Sequence, residues 1–466
     1  MVSNENTLKY WIKKHPGIRQ ALASIVAKVP LAFRMGKRFW MWYSLFQESE
    51  RWSVDQMLEY QFECLRSLLS KLSLESEFYR KRLNGVNIAG IDTVEQFRAL
   101  VPTVSRDEFA ANYDSILANS WKKQKLAGAA TSGTTGKALQ FYHTSDDAVR
   151  EWAAICHQWS RVGYVPGESR RAEFRGLTRP GRLVDVFPEH NMIRCSVLDL
   201  KAEQVSYYAD CVGKYKIEFY HGYPSALHLL ASTITSHNIN FPQPKAVLLA
   251  SEEVYDWQLE SIQRAFPRSK LYAHYGCAER TALAGWCEYR REYHVMPQYA
   301  LVEVDRSNSE IIGTNLFNTV NGFVRYRMTD TVLSVSQQPC PDCRRPYIPR
   351  LVDLGGRSED YLFDLERGWI PPAVVTYPLK GLKVIREIRF VQCEREEITV
   401  QYTTNLPEDD RAVRTELDKI ESSLRRLFSN GTRFKFEWVE EFPRTRSGKF
   451  KWIINELDEA GFLTQP

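Results

Sequence analysis

The densest chemical signal in the 466-residue chain is the string Thr131-Ser132-Gly133-Thr134-Thr135-Gly136-Lys137. Two glycines let the backbone approach a ligand closely. The hydroxyls and N–H groups between them can surround phosphate oxygens, and Lys137 adds positive charge. The spacing is not that of an NTPase P-loop, which needs Gly, four residues, then Gly-Lys-Ser/Thr. Thr131 stands where the first glycine belongs, and Ala138 follows the lysine. A flexible Gly/Thr surface loop is the plainer reading of such a string.

Four weaker segments follow. In Tyr275-Gly276-Cys277-Ala278-Glu279 a carboxylate stands just past a predicted strand, where α/β sheets place ligands and where a carboxylate can hold Mg²⁺ against phosphate. Tyr275 can stack on a base; a Tyr-Gly turn with a surface Glu is the alternative. Arg325-Tyr326-Arg327-Met328-Thr329-Asp330 ends on an aspartate able to accept from ribose hydroxyls, or to close an ordinary salt-bridged strand. Gly355-Gly356-Arg357-Ser358-Glu359-Asp360 reads as a joint between domains. Pro443 to Lys449 places a lysine on a Ser-Gly turn. There it can reach negative charge developing in a cleft, or simply belong to a solvated basic loop. Cys340-Pro341-Asp342-Cys343 has knuckle spacing, half of a tetrahedral zinc site that needs two further ligands. Cys287 and His294 lie near each other in sequence; Cys277 and His274 are alternatives.

These residues need a frame. Before residue 85 the chain reads as helical, with Met57, Tyr60, Cys64, Leu65, Leu68, Leu69 and Leu72 forming an apolar stripe. Between 139 and 274 strands and helices alternate: strands at Leu139–His143, Lys216–Tyr220, Ala246–Ala250 and Lys270–His274, helices at Ser225–Ser232 (opened by a Pro-Ser cap) and Asp256–Ala265. That order predicts an α/β fold with a largely parallel sheet. Past Gly313 strands and turns dominate. Past the Gly-Gly pair come two strands, a charged helix over Asp409–Phe428 and a last strand, a small α+β unit. The expected domains are therefore 1–355, with a helical start over 1–100, and 356–466.

Composition narrows the partners. A net charge of +5 over this length demands no nucleic acid, and no basic–aromatic stripe is visible, although an anionic nucleotide is welcome. The most apolar early stretch, Ala21 to Phe33, is broken by Lys28 and Pro30, and no signal peptide is legible. Nine scattered cysteines point to a reducing compartment rather than a disulfide framework, so a cytoplasmic protein is expected. Residues 1 to 50 fit an amphipathic packing helix better than a peripheral membrane contact. Oligomeric state is not legible.

In their fixed order the five segments resemble the motifs of the adenylate-forming superfamily of acyl-CoA synthetases, luciferases and peptide-synthetase adenylation domains. Within it the chain is most similar to the phenylacetate–CoA ligase group, and more narrowly to the branch found in capsular-polysaccharide biosynthesis. Further support comes from Glu77-Phe78-Tyr79-Arg80, His221-Gly222-Tyr223-Pro224-Ser225, Ala250-Ser251-Glu252 and the late Cys pair, so that the likeness runs from about residue 50 to 455. The resemblance implies a large N-terminal domain and a small mobile C-terminal one. It implies a reaction in which a carboxylate attacks the α-phosphorus of ATP, after which CoA or an amine takes the acyl group and AMP leaves. An amine on a sugar or glycan precursor is the alternative acceptor, and a non-catalytic nucleotide-binding homologue is the reading from a different class.

Carried over by position, Thr131 to Lys137 (Thr131, Ser132, Gly133, Thr134, Thr135, Gly136, Lys137) would cradle the β- and γ-phosphates. Ser251 and Glu252 would line the adenine side, with Tyr275 and Gly276 on the ring. Glu279 would hold Mg²⁺, Asp330 the ribose, and Arg357 the ribose or phosphate. Lys449 would bridge carboxylate and α-phosphate, and Glu359 would be the hinge. Tyr220, His221, Tyr223 and His274 would line the acyl pocket, favouring an aryl or polar acid over a long fatty acid. Ala278 departs from the usual threonine. The glycine loop after the hinge is only loosely matched by Arg367-Gly368-Trp369, which makes thiol transfer less secure than adenylation. Members of this branch also show cysteine at the position of Cys287, giving a structural Zn²⁺ set of Cys287, Cys340 and Cys343 with His294 as fourth ligand.

Overall fold

The structure is a computed structural model that describes residues 29–121, 126–130, 139–175, 178–179, 181–197, 200–357, 361–366, 368–370, 375, 379, 382–443 and 450–457. The Thr131–Lys137 string, the Glu359 hinge and Lys449 lie outside the described residues, as does the side chain of Arg357.

The helical start opens with α1 (Gly36–Ser49) and α2 (Val54–Glu75). Ser53 begins α2 with a capping box: its hydroxyl accepts from the Gln56 N–H at 3.1 Å, and its own N–H donates to the Gln56 side chain at 2.9 Å. The expected stripe is buried at Met57, Leu65, Leu68, Leu69 and Leu72, while Tyr60 and Cys64 are half-buried on its flank. Gln61, buried among them, donates to the carbonyls of Pro297 and Ala300 and so fixes α2 to the large sheet.

The strands in chain order are β1 (Ala127–Ala130), β2 (Gln140–His143), β3 (Arg171–Phe174), β4 (Val184–Phe187), β5 (Met192–Cys195), β6 (Phe219–Gly222), β7 (Ala246–Ala250), β8 (Lys270–Gly276), β9 (Leu283–Gly285), β10 (Tyr293–Val295), β11 (Ala300–Val304), β12 (Glu310–Asn315), β13 (Tyr326–Ser336) and β14 (Arg350–Arg357). Beyond them lie β15 (Leu362–Asp364), β16 (Gly368–Ile370), β17 (Ile385–Glu394), β18 (Glu397–Thr404), β19 (Arg433–Trp438) and β20 (Ile453–Asn455). The helices that cover the sheets are α3 (Ser145–Ser160), α4 (Ala202–Lys214), α5 (Pro224–Ser236), α6 (Asp256–Ala265) and α7 (Arg411–Leu427).

Twelve strands form one sheet in the order β11-β12-β13-β14-β10-β9-β8-β7-β6-β3-β5-β4. From β8 to β5 neighbours run parallel; β4 and every strand from β9 to β11 pair antiparallel. The parallel half follows from the strand–helix alternation, since parallel neighbours need a crossover such as α5 or α6. The antiparallel half follows from the short turns after Gly276. Buried side chains crowd the sheet at Gly285: a Cβ there would lie 2.0 Å from Gln158 Oε1 and 2.4 Å from the Tyr272 hydroxyl. That position therefore excludes any side chain.

A separate four-stranded sheet, β19-β18-β17-β20, is backed by α7 through Val413, Ile420 and Leu424. Its apolar core also takes in Tyr255 and Trp257 from the start of α6. At the expected joint β14 continues through Gly355 and Gly356 to Arg357, with Gly356 opposite Thr331, Arg357 opposite Asp330 and a register shift between Thr331 and Val332. The Pro-Ser cap is corrected. Pro224 occupies the first helical position of α5 behind Tyr223, and Ser225 offers its N–H rather than its hydroxyl.

β13, which carries Asp330, is anchored at its entry by a buried ion pair. Arg325, in a left-handed conformation at φ 48°, forks onto Glu303 at 3.0 and 3.1 Å, and Arg98 joins the same carboxylate at 2.8 Å. Glu303 is 1% exposed. Removing one partner of such a pair leaves an uncompensated buried charge and costs about 3–5 kcal/mol. Glu303→Ala is expected to lower the thermal midpoint by several degrees, while Glu303→Gln, which keeps the acceptor oxygen, lowers it less; differential scanning calorimetry checks both.

Candidate active site

The parallel strands β7 and β8 end side by side, and their C-terminal ends carry two of the predicted segments. Tyr275, at the end of β8, donates its hydroxyl to Asp330 Oδ2 at 2.5 Å. Asp330 stands in β13 directly across from Arg357 in β14. Three residues expected around one nucleoside thus share one corner, although a register shift between Glu310 and Ile312 and a left-handed Thr329 (φ 61°) are needed to aim Asp330 there. Arg327 is not available to a ligand on these contacts, because it pairs with Asp305 at 3.2 Å and with Glu310.

Glu279 sits in the turn between β8 and β9 and is 9% exposed. The Tyr326 hydroxyl hydrogen-bonds it. Burial first, and then that neighbouring carboxylate, push the Tyr326 phenol far above its ordinary range. The Asn315 amide donates to the Glu279 carbonyl at 3.3 Å, and Arg280 turns away to Glu151 at 2.7 Å. Tyr326 is therefore a site residue that the motif itself contained but that sequence reasoning passed over. Its position at the first residue of β13 was the signal.

Ser251 follows β7 with φ 71°, the turn that lifts the chain away from the sheet end. Glu252 accepts from two backbone donors. One oxygen accepts the Ser225 N–H at 3.1 Å, an anion on the positive end of α5, and the other accepts the Phe450 N–H at 3.3 Å. This carboxylate therefore ties Phe450 to the sheet end. Trp257 packs edge-on against Trp452 at 5.2 Å beside it. The Phe450 contact spans 198 residues and no local pattern encodes it.

The four expected pocket residues divide. Tyr220 and His221 are adjacent on β6, so their side chains leave opposite faces. Tyr220 is core: it packs on Phe174, Phe241 and Phe266, and its hydroxyl donates to the Pro242 carbonyl at 2.5 Å. His221 and His274 lie on the other face, their rings 6.2 Å apart and both edge-on to Trp159 of α3. Tyr223 is buried nearby under the Arg175 guanidinium, 5.4 Å from its ring centre. Burial, then Arg175, hold His274 down to about 3 and His221 well below the ordinary imidazole range, so both rings are neutral at physiological pH. Arg175 and Glu173 were missed by sequence reading. Their signal was alternating charge, Arg171-x-Glu173-x-Arg175, in a strand whose other face is apolar.

The four sulfur and nitrogen residues converge. One ligand atom each from Cys287, His294, Cys340 and Cys343 lies within 4.8 Å of all the others. His294 Nδ1 is 3.5 Å from Cys343 Sγ, and the Arg290 N–H donates to Cys287 Sγ at 3.2 Å. His294 comes from β10, Cys287 from the turn after β9, and the knuckle from the β13–β14 turn. The alternatives are placed elsewhere: Cys277 meets the Thr281 hydroxyl, and His274 accepts from Trp159 Nε1 at 3.4 Å. Ion pairs surround the cluster, with Arg345 forking onto Glu288 and reaching Glu50 at 2.7 Å.

Residues 362–456 match the CapK C-terminal domain family. The chain is 24% identical to "Protein CapK" of Staphylococcus aureus over 462 residues, spanning 97% of this chain and all of that one. Among solved structures, 2-hydroxyisobutyryl-CoA ligase in its postadenylation state with an acyl-AMP superposes with a TM-score of 0.63 at 18% identity, covering 85% of this chain and 89% of that one. The same ligase with 2-HIB-AMP and CoA, in its thioesterification state, gives 0.51 at 18% identity over 88% and 91%. The chain is thus similar to protein CapK along nearly its whole length and has the fold seen in the 2-hydroxyisobutyryl-CoA ligase structures.

Proposed function

We propose that this protein is an ATP-dependent, AMP-forming ligase that activates a carboxylic acid as its acyl-adenylate and passes the acyl group to the thiol of CoA. The observation that carries the reading is the Tyr275–Asp330 hydrogen bond, which joins two separate motif segments at the end of β8, with Glu279 in the following turn. Asp330 accepts from the ribose hydroxyls, and Tyr275 offers its ring to the adenine. Glu279 is a buried carboxylate at a sheet end, a donor suited to Mg²⁺ whose other ligands are phosphate oxygens; bound there, the ion would offset charge on the phosphates as pyrophosphate leaves. The Glu252 contact brings the segment after Lys449 to the same edge, and Lys449 supplies a point charge between the substrate carboxylate and the α-phosphate. Thr131 to Lys137 cradle the β- and γ-phosphates. The chemistry is positioning and charge stabilisation, with no covalent step on the protein.

The acid oxygen attacks the α-phosphorus and pyrophosphate departs; the nucleophile then attacks the acyl carbon and AMP departs. An amine on a sugar or glycan precursor is the alternative nucleophile. We place the reaction in capsule polysaccharide biosynthesis, supported by the CapK relationship, and in the cytoplasm, supported by nine cysteines that are all free thiols. Among the described residues no helix is long and apolar enough to cross a membrane. The Cys287, His294, Cys340 and Cys343 cluster fits a structural Zn²⁺ by donor type and number. Such an ion would clamp the β13–β14 turn to the β9–β10 turn.

ATP–pyrophosphate exchange across aryl, amino, fatty and hydroxylated acids is expected to proceed with one class and to be abolished in Lys449→Ala; no exchange with any acid overturns the reading. AMP release that needs CoA rather than an amine identifies the acceptor. Glu252→Ala removes the acceptor for both N–H groups, and hydrogen bonds to a charged group contribute about 1.5–3 kcal/mol. It is expected to slow exchange roughly ten- to hundredfold, with limited proteolysis between the two sheets accelerated in parallel. Metal analysis of protein purified without a histidine tag is expected to return about one zinc per chain, and Cys340→Ser to lose it; less than about a tenth of an equivalent rules the zinc out.

A further inference from the structure

The face of the large sheet beneath α3 is polar at the place where an α/β sheet binds ligands. Arg194 of β5, Glu173 of β3 and His221 of β6 stand in register across three neighbouring strands. Arg175 follows just past the end of β3, and His274 lies near the end of β8. Most of this row is already satisfied. Glu173 takes Arg194 at 2.9 and 3.2 Å and Arg171 at 3.5 Å, and His274 Nδ1 accepts from the Trp159 indole.

One member is not. Both ring nitrogens of His221 lack a hydrogen-bond partner, the nearest carboxylate oxygen being Glu173 Oε1 at 3.9 Å from Nδ1, although the residue is only 5% exposed. Arg175 stacks on the Tyr223 ring, and its charge acts on Glu173, His221 and His274. Buried polar atoms are almost always paired, so an unpaired imidazole at a strand end marks a place where a ligand completes the bonding.

We propose that His221 and Arg175 form a hydroxyl-reading floor of the acyl site, so that the acid activated here carries hydroxyl groups on its non-reacting end. The inference rests on the acyl-adenylate reading above and names its substrate class. A neutral imidazole presents one N–H donor and one lone-pair acceptor. Burial and Arg175 keep His221 in that form. A hydroxyl is likewise donor and acceptor and can satisfy either nitrogen, with Arg175 donating to its oxygen. An aliphatic chain satisfies neither, and a second carboxylate can only accept, leaving the acceptor nitrogen bare. Sites with buried polar groups of this kind reject analogues lacking the matching hydroxyl far more strongly than apolar pockets reject an extra one.

The test pairs acids of one ring size in the exchange assay: glucuronate against cyclohexanecarboxylate, with gluconate and octanoate as open-chain counterparts. The hydroxylated acid is expected to have the higher kcat/KM by roughly tenfold or more. His221→Phe is expected to erase that preference through KM for the acid, with KM for ATP unmoved. His221→Gln, which retains a donor and an acceptor, is expected to keep most of it. Faster exchange with cyclohexanecarboxylate or octanoate overturns the hydroxyl floor while leaving adenylation standing, as does a His221→Phe protein with the wild-type preference. Silence with every acid, hydroxylated and apolar, overturns the adenylate reading and this inference with it.

Discussion

The geometry of this protein depends on β8 having unlike neighbours. On one side it pairs with β7 in parallel, so both strands end at the same edge of the sheet and deliver Ser251, Glu252, Tyr275 and Gly276 together. On the other side it pairs antiparallel with β9, so the chain must turn back at once, and that forced turn sets Glu279 at the same edge. A sheet wholly parallel would have sent the residues after Tyr275 into a crossover helix. The antiparallel strands that follow then bring β13 and β14 round, and Asp330 reaches Tyr275 from the far half of the sheet. One change of strand direction thus collects residues separated by 55 positions onto a single hydroxyl–carboxylate contact.

Much of this frame could be read from the chain. Ala246–Ala250 and Asp256–Ala265 form the strand and helix expected of them, because an unbroken apolar run and a 3.6-residue period leave little choice. The strand expected at Lys216–Tyr220 begins later, at Phe219, because Lys216 turns with φ 51° and Ile217 closes that turn onto the Val212 carbonyl. The Cys340–Cys343 half of the cysteine cluster was legible from spacing, since a two-residue knuckle is short enough to be a local property; Cys287 came from the family resemblance.

What the sequence concealed lies in long-range pairing and in the parity of strands. Tyr220 and His221 look alike as pocket candidates, yet a period of two sends one to the core and the other to the site. Glu252 looks like a nucleotide-side residue and is also a clasp, a role whose partner at Phe450 is visible only in three dimensions. Arg175 and Glu173 carry no motif, and Tyr326 stood without a role inside one; they become meaningful once register sets them beside His221, Arg194 and Glu279.

The hairpin β1–β2 that brackets the Thr131–Lys137 string is two strands wide, too few to be stable by themselves. Asn321 takes the place of a third strand. Its amide accepts the Tyr142 N–H at 3.0 Å and donates to the Tyr142 carbonyl at 2.5 Å, as a neighbouring backbone would. The two residues lie 179 positions apart. During synthesis at about 5–20 residues per second, the strands flanking the hydroxyl–glycine string wait on the order of ten seconds or more for the side chain that completes them. Until then the nascent hairpin lacks its third partner, which makes the framing of that string a late event in the life of each new molecule.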